Sequence, residues 1–182
     1  QIQQEEERFG VFKEGGVEIA PWWIKNPKIE EHTELLFQWF EKNIHNLHKL
    51  FILGGEPFLQ KETFRMIEFL EKKTLPDLTL VFFSNHNVEH ERFKNWIGRL
   101  NKLQKAGRLD KIQIFFSCDG FGEAGEYART GLDLKIALKN FDYVLHETDI
   151  EQGINSALTI TAGPGMPAMV KYINESSRIK PI

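Results

Sequence analysis

The sequence has 182 residues, 41% hydrophobic and 27% charged, with a formal net charge of −3, which suits an ordinary soluble globular domain with a real core. That acidity argues against a nucleic-acid footprint, which needs clustered Lys and Arg, and no apolar run approaches the roughly 18 residues of a membrane span. The one cysteine, Cys118, excludes an internal disulfide and any all-cysteine metal site built by this chain alone, and it suggests a reducing, cytoplasmic compartment.

The first residues, Gln1-Ile2-Gln3-Gln4-Glu5-Glu6-Glu7, make no signal peptide. They also lack an initiator Met, a hint that the chain begins inside a longer one. Residues 1–29 read as an irregular segment, with Gly15-Gly16 and breaks at Pro21 and Pro27. An apolar stripe at Leu35, Leu36, Trp39, Phe40 and Ile44 then predicts a helix. Residues 50–53 predict a first strand, and Phe64, Ile67 and Leu70 a helix after it. Residues 78–83 predict a second strand, followed by a helix on Phe93, Trp96, Ile97, Leu100 and Leu103. A third strand is expected at 112–116, a helix on Ile136, Phe141, Val144 and Leu145, a fourth strand at 154–161 and a last helix over about 166–175. Strands alternating with helices make the fold class α/β with a parallel sheet. The alternation is common to open sheets and barrels.

In both architectures ligands bind beyond the carboxyl ends of the strands. Four segments follow the predicted strands: Gly54-Gly55-Glu56-Pro57, Ser84-Asn85-His86-Asn87, Ser117-Cys118-Asp119-Gly120 and Ala162-Gly163-Pro164-Gly165. All are polar or glycine-rich, and they should converge on one face. Gly54 and Gly55 let a ligand approach the backbone. Glu56 offers a carboxylate to an ammonium group, and Pro57 stiffens the exit. The same four residues also suit a plain strand-to-helix turn with an exposed Glu.

Gly54-Gly55-Glu56-Pro57, with its apolar lead-in and trailing Leu59, resembles the motif that holds the amino group of S-adenosylmethionine (SAM) in the radical SAM superfamily. Ser117-Cys118-Asp119-Gly120, with Glu126, Tyr127, Arg129 and Gly131 behind it, resembles the Ser-x-Asp-Gly segment after the fourth barrel strand in the twitch-domain branch. Ser84-Asn85 is similar to the pair that ends the third strand. The resemblance covers roughly residues 30–175. It implies that residues 30–182 form strands 2 to 5 of a partial, TIM-like (β/α)6 barrel. It also implies that Gly54, Gly55, Glu56 and Pro57 hold SAM, and that Ser84, Asn85, Ser117 and Asp119 line the cofactor or substrate side, none of them catalytic alone. The parent enzyme would use a reduced 4Fe–4S cluster to cleave SAM to a 5′-deoxyadenosyl radical, which takes hydrogen from a substrate the sequence does not name.

The family's CxxxCxxC loop precedes the Gly-Gly-Glu-Pro motif, and here no cysteine precedes Cys118. The resemblance therefore implies a chain that starts just after that loop, ligates no cluster and is inactive by itself, with an exposed strand edge that leads to self-association, to covering by the N-terminal segment or to poor solubility.

Other readings compete. A degenerate barrel could serve as a binding module. Gly120-Phe121-Gly122-Glu123-Ala124-Gly125 fits the G-x-G-x-x-G of a Rossmann dinucleotide site, although Asp119 and Glu123 would face a pyrophosphate with the wrong sign. His86 and His90 have metal-ligand spacing if they share a helix, but Asn87-Val88 reads as the turn that starts it, so both are expected as solvated surface histidines. Cys118 reads as a small buried filler.

Overall fold

The computed structural model describes residues 28–176. The chain divides into two units, Gln1–Ile44 and His45–Ile182. In the first lies helix α1 (Lys28–Asn43). Its expected stripe is rotated: Leu35, Leu36 and Trp39 stand exposed, while Phe37, Phe40 and Ile44 are buried. The buried set follows the three- and four-residue steps of one helix face, with the Phe37 and Phe40 rings edge to face. The irregular segment expected over 1–29 lies outside the described residues up to 27, and residues 28 and 29 already belong to α1.

The second unit is built on four strands: β1 (Lys49–Ile52), β2 (Leu75–Ser84), β3 (Leu109–Ser117) and β4 (Glu151–Asn155). All pairings are parallel, in the order β1-β2-β3-β4. Parallel neighbours need a crossover, and helices supply it: α2 (Lys61–Leu70), α3 (His90–Lys105), the short α4 (Glu123–Ala128) with α5 (Leu134–Glu147), and after β4 a last helix, α6 (Met166–Glu175). Strand order follows chain order without reversal. A dinucleotide crevice opens where the order reverses, and the described strands contain no such point.

The two faces of the sheet differ. On one, Leu80, Phe82, Ile112, Ile114 and Phe116 are fully buried, with α3 against β3 and α5 against β4. Phe58 stacks on Phe82 and meets Phe93 edge to face, and Phe116 packs on Phe141. Cys118 is fully buried in this core, as expected. On the other face the register places Phe51, Val81, Gln113 and Glu151 in one row. Phe83 and Phe115 stack there with centroids 5.2 Å apart, and Gln113 donates to Glu151 at 2.9 Å. Outside the sheet, Phe64 and Trp96 stack at 4.1 Å and tie α2 to α3, with the Arg99 guanidinium over Trp96 and paired to Glu71.

The fourth strand departs from expectation. It runs Glu151–Asn155 instead of 154–161, and residues 156–161 are exposed, Leu158 by 82% and Ile160 by 98%. Strand propensity needs a partner to act on. The polar Glu151 and Gln152 have one in β3, whereas Leu158 and Ile160 pair with no strand among the described residues.

Candidate functional site

The carboxyl end of β1 leads into a tight corner. Gly54 (φ 96°) and Gly55 (φ 54°) are both left-handed, a conformation that costs about 1–2 kcal/mol for a residue with a Cβ. Gln60 Nε2 donates to the Gly54 carbonyl at 2.9 Å and closes the corner from the far side. Pro57 opens a single turn, Pro57–Leu59, whose N-cap is Glu56.

The Glu56 carboxylate joins two strand ends. Oε1 accepts from the Phe58 N–H at 3.1 Å and from Ser84 Oγ at 2.7 Å, and Oε2 accepts from the Asn85 N–H at 2.9 Å. A carboxylate offers about four acceptor positions; these bonds use three of them, and the His86 N–H also favours the charged carboxylate. Burial pushes the Glu56 carboxyl up from its usual range, and the hydrogen bonds from Ser84, Phe58, Asn85 and His86 pull the other way. Ser84 is itself buried, and its Oγ also accepts from the His86 N–H at 2.9 Å. The structure therefore brings Gly54, Gly55, Glu56, Pro57, Ser84 and Asn85 together. Among them, Gly54, Gly55 and the half-buried Glu56 and Asn85 meet solvent.

Ser117 and Asp119 end β3 separately from that corner's hydrogen bonds. Ser117 is half-buried, in register with Asn155. Asp119 is 7% exposed and committed internally. It pairs with Arg129 through both oxygens, at 3.1 and 2.9 Å, and Oδ1 accepts from the Ala157 N–H at 2.8 Å. It thus ties the segment after β4 to the end of α4.

Two glycines of the G-x-G-x-x-G run, Gly120 and Gly125, have a packing cause, as does Gly165 beyond it, while Gly122 is open but left-handed (φ 70°). A Cβ on Gly125 would lie 1.8 Å from the Gly120 oxygen, one on Gly120 would lie 2.8 Å from the Ala162 oxygen, and one on Gly165 would lie 2.4 Å from the Phe121 oxygen. Backbone rests on backbone where a phosphate would have to enter.

His86 corrects the sequence reading. It is wholly buried, with its ring stacked on Phe116 at 5.0 Å and tilted against Phe93 and Phe141. Neither ring nitrogen has a hydrogen-bond partner, and burial pulls its pKa down to about 3. Its backbone is left-handed (φ 55°). His90 opens α3 instead, with its Nδ1 2.7 Å from Asn140 Oδ1. The two rings share no helix, and no group of three or more His, Cys, Asp or Glu among the described residues could hold a metal ion. Sequence reasoning passed over Asn140, whose only signal is an amide on a helix face otherwise made of Ala137, Phe141 and Val144.

No helix among the described residues is long and apolar enough to cross a membrane. A scan against protein-family models and a search of curated proteins both gave no match.

Proposed function

We propose that this unit is part of a (β/α)6 radical SAM barrel, its strands being β2 to β5 of that barrel, and that its strand-end corner binds S-adenosylmethionine. The observation that carries the reading is the meeting of two separately recognised segments. Gly54-Gly55-Glu56-Pro57 and Ser84-Asn85 lie at the same end of adjacent parallel strands and share one carboxylate. The Glu56 carboxylate suits the ammonium of SAM, and the bare backbone of Gly54, with no atom within 4 Å of a built Cβ, leaves room for its methionyl chain. Asn85 and Ser117 would line the ligand side, while Ser84 and Asp119 support it from beneath.

Bound there, and given one electron from a reduced cluster, SAM would supply by S–C5′ cleavage to methionine a 5′-deoxyadenosyl radical able to take hydrogen from a substrate. The residues here fit SAM but do not fit the 4Fe–4S cluster: Cys118 is buried in the core and burial raises its thiol pKa. Cluster thiolates would have to come from outside these 182 residues.

A second reading has its own observation. Glu56 already accepts from Ser84, Phe58 and Asn85 inside the fold, which suits a degenerate barrel acting as a binding module. Titration calorimetry separates the two. SAM should bind this chain, and Glu56→Gln should weaken it about 10-fold, the loss of about 1.4 kcal/mol expected of one charged hydrogen bond. 5′-Methylthioadenosine, which lacks the amino-acid group, should be indifferent to that change. No heat from SAM at millimolar concentration would remove the SAM reading.

A further inference from the structure

The corner around Glu56 is held from a distance. Asn140, in the middle of α5, is fully buried. Its Nδ2 donates to the carbonyls of His86 at 2.8 Å and Val88 at 2.7 Å, and its Oδ1 faces His90 Nδ1 at 2.7 Å. The chemistry leaves one assignment. Two carbonyls can only accept, so the amide nitrogen faces them; the amide oxygen can only accept, so the proton is on His90 Nδ1. One side chain therefore grips the segment from His86 to His90 at three points.

That segment does not hold its shape unaided. His86 is left-handed, and Val88 N–H folds back onto the His86 carbonyl at 2.9 Å, a compact turn that a residue with a Cβ resists. Immediately before it stand the two donors to Glu56, Ser84 Oγ and the Asn85 N–H, and the His86 N–H fixes the Ser84 hydroxyl.

We infer that Asn140 is the positioning residue of the Glu56 corner, with His90 as the partner that orients it. The amide locks the His86–Val88 turn, the turn aims the Ser84 hydroxyl and the Asn85 N–H at Glu56, and those two bonds set which carboxylate position faces out. A side chain that merely satisfied two buried carbonyls would add stability without governing that aim. The ligand part of the inference rests on the SAM reading; the positioning part does not.

The test compares amide hydrogen exchange at Asn85, which reports the bond to Glu56, with exchange at Ile114 in the middle of β3. His90→Phe removes the donor to Asn140, His90→Gln returns an N–H, and Asn140→Leu removes the amide. In His90→Phe and Asn140→Leu, protection at Asn85 should fall about 10-fold further than at Ile114, and His90→Gln should restore it. SAM affinity should follow the same order, weakened about 10-fold in His90→Phe and recovered in His90→Gln. Equal losses at Asn85 and Ile114, or none at Asn85, would overturn the positioning role. Unchanged SAM affinity beside a loosened Asn85 would overturn its bearing on the ligand. If wild type binds no SAM, the SAM reading fails while the exchange comparison still decides on Asn140. Should Asn140→Leu not fold, the two His90 variants carry the test.

Discussion

A histidine sealed among three phenylalanines has to stay neutral. With the His86 pKa pulled down to about 3 from the ordinary 6.5, the unfolded chain takes up the proton first as pH falls. Stability on this account is therefore full above about pH 6.5 and is lost progressively toward pH 3. At pH 5 the loss is about 2 kcal/mol, at roughly 1.4 kcal/mol per unit. His86→Phe keeps a ring against Phe116 and removes the titration. Urea unfolding of both proteins from pH 8 to pH 4.5 should give a wild-type curve that falls away from that of His86→Phe below pH 6.5. Parallel curves would mean that the protonated ring is solvated or finds a hydrogen-bond acceptor. Nothing in the sequence around Asn85-His86-Asn87 marks this burial. The residues that enclose the ring, Phe93, Phe116 and Phe141, arrive from α3, β3 and α5.

Among the elements, α4 is held by what it lacks. Gly125 lies with its Cα against the Gly120 carbonyl, and the turn Gly163–Gly165 closes over the same spot. Gly125→Ala should cost more than about 3 kcal/mol or leave the protein insoluble, because backbone cannot yield as a side-chain tip can. Gly98 is the control. It sits inside α3 with no atom within 4 Å of a built Cβ, so Gly98→Ala should stabilise by about 0.5–1 kcal/mol. Thermal unfolding of the pair checks both signs. The elements also divide by how readable they were. β2 and β3 announce themselves because their own residues are branched and aromatic. β4 does not, since Glu151 and Gln152 become a strand by pairing with β3, and Leu158 and Ile160 resemble one without a partner strand among the described residues. The Glu56 corner was legible in part because its donors follow the strand ends directly. Asn140 was not, being 54 residues along the chain from the carbonyl it grips.

For the unit as a whole, both outer strands pair on one side only among the described residues. Large apolar side chains stand near both: Phe51 and Leu53 by β1, Leu158 and Ile160 beyond β4. Unpaired edges and exposed apolar groups favour association. Sedimentation at rising concentration should give a growing weight-average mass, reduced when Leu158 and Ile160 are both changed to Lys. A monomer at all concentrations would count against association through these edges.

Strand order that follows chain order also bears on how the protein is made. Each strand after the first docks on the one synthesised just before it, so no part of the sheet has to wait for a distant segment before it can grow. Emerging from a ribosome at about 5–20 residues per second, the chain could assemble the sheet one strand at a time from β1 to β4. The last strand always presents the edge on which another could be added.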